Sequence, residues 1–142
     1  QQALVNSRSA QKYSLESNGA NTRESPRSLM LSGGELPSSE ILQQLGTGLY
    51  ISDLHYLNWS DVQGGRMTGM TRYACFWVEE GEWVAPIENM RFDETIYRCL
   101  GSELEALTAE VEVQPNITTY FHRGIGGTSC PGALLKNFTF TL

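Results

Sequence analysis

Histidine is scarce in this chain, with two residues among 142, and basic side chains are outnumbered, 10 Lys and Arg against 16 Asp and Glu. The resulting net charge of −6 excludes nucleic-acid binding through a basic face. Arg23 and Arg27 form the one basic cluster and sit in a polar stretch that reads as solvated loop. No apolar run approaches the roughly 18 residues that a membrane-spanning helix needs. Neither end shows a signal-peptide or lipidation pattern. Cysteine is sparse and odd in number: Cys75, Cys99 and Cys130 stand far apart, without a CxxC pair. That spacing excludes a disulfide framework and a self-contained cysteine zinc site, and it predicts reduced thiols in a cytoplasmic protein. Also missing are the HExxH and HExxxH spacings, which place two imidazoles on one helix face, and a Lys-Ser/Thr pair after any glycine run to hold phosphate.

What is present reads as an α+β chain dominated by antiparallel, curved, barrel-like sheet with two or three short helices. Residues 1–35 are polar and glycine/serine-rich, a loop-like lead-in with a strand or two and a turn at Gly33-Gly34. Ser38 is placed to cap a short helix whose apolar face is Ile41, Leu42 and Leu45, and Gly46 is placed to stop it. A strand follows over Leu49 to Leu54. The stretch from Asn58 to Gly69, holding Gly64-Gly65 and Thr68-Gly69, reads as a long glycine-rich loop of the kind that often bears function. Met70 to Val78 and Glu82 to Ile87 form a hairpin turned at Glu79-Glu80-Gly81, with Gly81 in the left-handed position and Pro86 at a sheet edge. Asp93 is placed to cap a helix ending at Gly101, and Ser102-Glu-Leu-Glu105 matches a capping box. Two strands close the chain, one from about Glu110 and one in the run from Pro131, where Leu134, Leu135, Phe138 and Phe140 need cover. This apolar finish and the polar start at Gln1 predict a single domain that is the C-terminal piece of a longer protein.

Chemistry-bearing residues are few. His55, between Leu54 and Tyr56, reads as a core-edge histidine with one hydrogen bond. His122 and Cys130 could form a nucleophilic pair only with a third, orienting group, and none is evident. Glu79 and Glu80 read as a solvated hairpin tip. Trp59, Trp77 and Trp83 fit a peptide groove and a packing role equally well. The residues themselves therefore give no catalytic set.

Several runs in order along the chain resemble the C-terminal part of the TldD/PmbA family, the modulators of DNA gyrase regarded as zinc-dependent peptidases. They are Ser9 to Gly19 (SAQKYSLESNG), Gly46 to Ser52 (GTGLYIS), Arg66 to Tyr73 (RMTGMTRY), Val78 to Pro86 (VEEGEWVAP) and Pro131 to Leu142 (PGALLKNFTFTL). The likeness is nearer the PmbA (TldE) side. It implies proteolytic maturation or degradation of small peptides, with an HExxxH zinc helix upstream of Gln1. It implies partners as well, namely a peptide substrate, the missing N-terminal half, and a TldD-type subunit or a second copy. TldD-type members complete the zinc site with a cysteine near the position of His122 or Arg123 here. Neither is cysteine, and Cys130 lies too close to Pro131, so His122 is left as the one weak metal candidate and the chain reads as lacking catalytic residues and cofactor of its own. Asn58, Gly64, Gly65, Thr68 and Gly69, with the edge near Pro86, are then the candidate wall for an extended substrate added along a sheet edge. The alternative is a non-hydrolytic assembly module that docks a partner subunit through its aromatic strands.

Overall fold

A computed structural model describes residues 4–25, 28–117, 119 and 123–141. The chain divides into two compact units, residues 1–32 with 112–130 and residues 33–111 with 131–142.

The first unit contains a helix, α1 (Ser7–Tyr13), and a short strand, β1 (Ser28–Met30). The loop-like reading of residues 1–35 missed α1. Asn6 starts it by accepting the N–H groups of Arg8 and Ser9, and Lys12 lies in its last turn, where the dipole favours a cation. Every residue of α1 is exposed or half-buried, so no apolar period marked it in the sequence. Val5, just before the helix, is buried and bonded through its N–H to Asn18 Oδ1 at 2.9 Å. β1 pairs in parallel with the start of the strand Gly127–Leu135, Leu29 standing opposite Thr128.

In the second unit, a 3₁₀ turn (Ser38–Glu40) runs into α2 (Ile41–Leu45). Ile41, Leu42 and Leu45 are half-buried while Gln43 and Gln44 are exposed, as the pattern predicts. Gly46 ends the helix at φ +65, its N–H donating to the Leu42 carbonyl. The cap differs from the expectation. Ser38 lies inside the turn, and the Glu110 carboxylate, 72 residues away, accepts both its N–H (2.8 Å) and its hydroxyl (2.7 Å). Gly33 and Gly34 make no turn. They run against the backbone at Leu107 to Ala109, with Gly34 N–H on the Thr108 carbonyl at 2.8 Å.

The centre of this unit is a hairpin of two long strands, β2 (Gly48–Asp61) and β3 (Arg66–Glu79). The supposed loop from Asn58 to Gly69 is the closed end of that hairpin. Asn58 stands opposite Thr68 and Asp61 opposite Arg66, with a tight turn over Val62 to Gly65. On its other edge β3 carries two partners end to end, β4 (Glu82–Pro86) and β5 (Arg91–Thr95). The β3–β4 turn is the two residues Glu80 and Gly81, both at positive φ (+49 and +81), the geometry that matches strand twist. Pro86 ends β4, every residue of which is exposed.

Asp93 belongs to β5 and caps no helix; a π-helical turn (Arg98–Ser102) follows it. The supposed capping box leads instead into β6 (Leu104–Pro115): the Ser102 hydroxyl turns to the Glu103 carboxylate (3.4 Å), which also takes Asn137 (2.8 Å) and Arg98 (3.4 Å). β7 (Gly127–Leu135) lies between β1 and β6, and β8 (Phe140–Thr141) pairs antiparallel with β5. The strand orders are β1-β7-β6 and β2-β3-β5-β8, neither of which closes on itself, so the sheets are open and mostly antiparallel. The core of the second unit comprises Thr71, Cys75 and Val78 of β3, Phe92 and Glu94 of β5, Thr108 and Leu134. Phe92, Phe138 and Phe140 stack in sequence at 5.2 and 5.1 Å, which supplies the cover that the C-terminal run demanded.

Candidate functional site

The register of β2 on β3 breaks between His55 and Asn58, where Tyr56 and Leu57 oppose Gly69 alone. Two residues facing one is a bulge, a device common beside binding sites because it re-aims side chains. Tyr56 adopts φ +53 there. A second break lies between Ile51 and Asp53, where Tyr73 of β3 adopts φ +63. Left-handed backbone costs a non-glycine residue about 1–2 kcal/mol, and here it turns two tyrosines outward, 71% and 73% exposed.

The two tyrosines are linked. The Tyr56 ring meets His55 edge-on at 4.5 Å, His55 Nε2 lies 2.6 Å from Arg72 Nη1, and the Arg72 guanidinium sits over the Tyr73 ring at 5.1 Å. A guanidinium only donates, so His55 Nε2 accepts and its proton rests on Nδ1. His55 is thus half-buried with one hydrogen bond, as its flanking residues predict. The Arg72 carbonyl is held by the Ser52 hydroxyl (3.2 Å) and the Cys75 thiol (3.3 Å), which fixes the second break.

Over the first bulge lies a cavity of about 250 Å³ lined by Tyr56, Asn58, Thr68, Gly69, Met70 and Arg91. Of the five candidates from the sequence, Asn58, Thr68 and Gly69 line it. Gly64 and Gly65 belong to the hairpin turn, where Gly65 (φ +60) packs beneath Tyr97; a Cβ there would come within 2.6 Å of that ring. Pro86 is not among the lining residues. Tyr56, Met70 and Arg91 were not singled out by the sequence reading. Arg91 reaches the cavity because β5 pairs it with Met70, which β2 in turn pairs with His55, and no local spacing announces such a register.

Polar groups at the cavity are partly committed. Asn58 Nδ2 donates to the Tyr56 carbonyl (3.2 Å) and the Thr68 hydroxyl to the Phe92 carbonyl (2.8 Å). Arg91 is exposed, and its guanidinium has no hydrogen bond or ion pair among the described residues. The neighbouring Arg66 is different, since its ion pair with Asp93 at 2.9 Å holds its guanidinium pKa up.

On the inward face of β5, opposite to exposed Arg91, stands a buried carboxylate, Glu94, 3% exposed. Burial opposes its charge, but the N–H groups of Thr95 and Thr139, the Thr139 hydroxyl and Arg98 outweigh it and hold the carboxyl below its ordinary value. Glu94 thereby ties the chain before β8 to β5.

The described residues hold no group of three or more His, Cys, Asp or Glu side chains suited to a metal ion. His122 lies outside the described residues. The three thiols are free, Cys75 is buried, and burial followed by the Glu94 charge pushes the Cys99 thiol up, away from the thiolate that zinc requires. The described residues therefore do not fit a zinc centre. Among the described residues no helix is long and apolar enough to cross a membrane.

The family described as PmbA/TldA metallopeptidase C-terminal domain matches residues 1–142. No curated protein matches the chain. Solved structures that share the fold include these two. One is called a modulator of a DNA gyrase, from Thermotoga maritima (TM-score 0.69, 19% identity, covering 97% of this chain and 30% of that one). The other is TldE from Thermococcus kodakarensis (TM-score 0.73, 16% identity, covering 98% and 31%). The chain thus spans under a third of the length of either structure.

Proposed function

This chain belongs to the PmbA/TldA metallopeptidase family as a C-terminal domain, and from that premise we propose that it serves the proteolytic maturation or degradation of small peptides without metal ligands of its own. In this reading, residues 1–142 are the C-terminal domain of a longer, cytoplasmic TldD/PmbA-type subunit that works as a dimer or with a TldD-type partner. The hydrolytic zinc is held elsewhere in that assembly, and this chain forms part of the wall along which an extended peptide lies.

The observation that supports it is the cavity over the β2 bulge. It gathers Asn58, Thr68 and Gly69 with Tyr56, Met70 and Arg91 beside β2, a strand that pairs only with β3 among the described residues. A strand with a free edge can bind any extended peptide through main-chain hydrogen bonds, and a cavity beside it can hold one side chain or chain end. At about 250 Å³ it falls below the roughly 300–1,000 Å³ of sites that enclose whole small molecules, which suits one residue of a longer ligand.

The test is metal analysis of the purified chain equilibrated with zinc, followed by peptide cleavage assays with and without a metal-bearing homologue. The expected result is no stoichiometric zinc and cleavage only in the mixture. Stoichiometric zinc with cleavage by the chain alone overturns the reading.

A second reading, docking of a partner subunit through aromatic strands without any part in hydrolysis, is favoured by one feature. Trp83 packs edge-on against Tyr50 and Phe76, each at 4.9 Å, yet stays 47% exposed on the edge strand β4. A stable complex with the metal-bearing homologue that leaves cleavage unaltered would select it.

A further inference from the structure

We propose that the cavity over the β2 bulge binds a carboxylate of the extended peptide, with Arg91 as the counter-ion. This rests on the reading of the cavity as part of a peptide-binding wall, and it names the chemical group recognised there.

The argument starts from charge. In a chain of net charge −6, three arginines lie within β3 and β5, and acids are plentiful enough to pair each of them. Arg66 has Asp93 at 2.9 Å, whereas Arg91, which lines the cavity, has no carboxylate among the described residues. Arg72 donates to a neutral imidazole rather than to an acid. A guanidinium presents several N–H donors in a fixed fork that matches the two oxygens of a carboxylate.

The lining completes the match. Asn58 Nδ2 is already committed to the Tyr56 carbonyl, so that amide is held in place at the rim. The exposed Tyr56 ring and Met70 offer apolar cover to the carbon next to a carboxylate. Gly69 lines the cavity with backbone alone, and a Cβ built on it would meet the His55 carbonyl and the buried Phe92 ring at 2.8 Å. Tyr56 keeps its place at a backbone cost, and strained conformations of this kind cluster where a side chain must point at a ligand.

The carboxylate could be the C-terminus of a peptide or an Asp or Glu side chain within it. Calorimetric titration of the full chain with short extended peptides separates the two. The series comprises a neutral sequence as free acid, the same sequence as amide, and an end-blocked amide with one internal Glu. Amidation is expected to weaken binding about ten- to a hundredfold, the range for a hydrogen bond to a charged group. Tight binding by the free acid alone assigns the chain end, and equal binding by the end-blocked Glu peptide assigns a side chain. Arg91→Gln is expected to abolish the difference between acid and amide, with Arg91→Lys retaining part of it. Near-ultraviolet circular dichroism checks that both variants remain folded.

Equal binding of acid, amide and neutral peptides to the unmodified chain overturns the carboxylate assignment while leaving peptide binding intact. The assignment falls equally if Arg91→Gln preserves the difference, or if inorganic phosphate binds as tightly as the free acid. Absence of binding by every peptide removes this assignment together with the peptide-wall reading.

Discussion

Arg72 Nη1 lies 2.6 Å from His55 Nε2, joining neighbouring strands of the long hairpin through a cation that donates to a neutral ring. Since arginine has no acceptor, the histidine tautomer is fixed with its proton on Nδ1. Nitrogen-correlated NMR of His55 should show the Nδ1–H form as dominant. Arg72→Ala should lose that preference and destabilise the fold by about 1 kcal/mol, the net worth of one ordinary hydrogen bond. A His55 spectrum unchanged in the variant would remove the interaction.

Glu94→Gln should destabilise the chain by about 2–3 kcal/mol in urea or thermal melts, because a buried, charge-assisted network loses its charge and one of its two acceptor oxygens. The pH dependence follows from the depressed carboxyl. In the folded state Glu94 binds its proton only below the value of the unfolded chain, so its contribution is fully present above that unfolded value, near 4.5. As pH falls through the lowered folded value, the contribution disappears. The acid limb of the stability curve should therefore be shallower for Glu94→Gln than for the parent.

Gly69→Ala should cost about 1–3 kcal/mol, the usual penalty of overpacking, because its methyl would meet the His55 carbonyl and the Phe92 ring at 2.8 Å. Denaturant midpoints at unchanged slope would show it. A neutral effect would mean that the β2 bulge yields more easily than its geometry implies.

Tyr56→Asn should act in the opposite direction. Asparagine tolerates positive φ, and the exposed tyrosine ring loses little packing, so stability should rise by about 1 kcal/mol. Peptide affinity should fall in the same variant. Gain of stability with loss of binding would mark the strain at Tyr56 as retained for recognition.

Elements with a local cause were legible in the sequence. Gly46 and Gly81 demand left-handed backbone, and the Ile41, Leu42 and Leu45 spacing gives α2 its face. The misreadings share a different cause. β2 continues through Asn58, Trp59, Ser60 and Asp61, all exposed, so no alternation separates strand from loop. In β5 the inward positions are Phe92 and Glu94, and a buried acid hides the period of two. Ser102 and Glu105 have the spacing of a capping box, but the Ser102 hydroxyl turns to Glu103, whose carboxylate is held by Asn137, 34 residues away, a partner invisible to local reading. Half of the cavity could be anticipated because glycine and threonine marked the hairpin end. Arg91 could not, since its place depends on which residue of β3 it faces.

The absence of a side chain at Gly69 has a consequence for how selectivity could change in related chains. Any substituent there collides with the sheet itself, so this part of the cavity lining is closed to variation. If the cavity binds peptide as proposed, altered preference must be written at the rim, in whatever occupies the places of Tyr56, Asn58 and Arg91. Two of those three sit on a single strand, so a few changes within β2, together with Arg91, could redirect recognition while the scaffold underneath stays as it is.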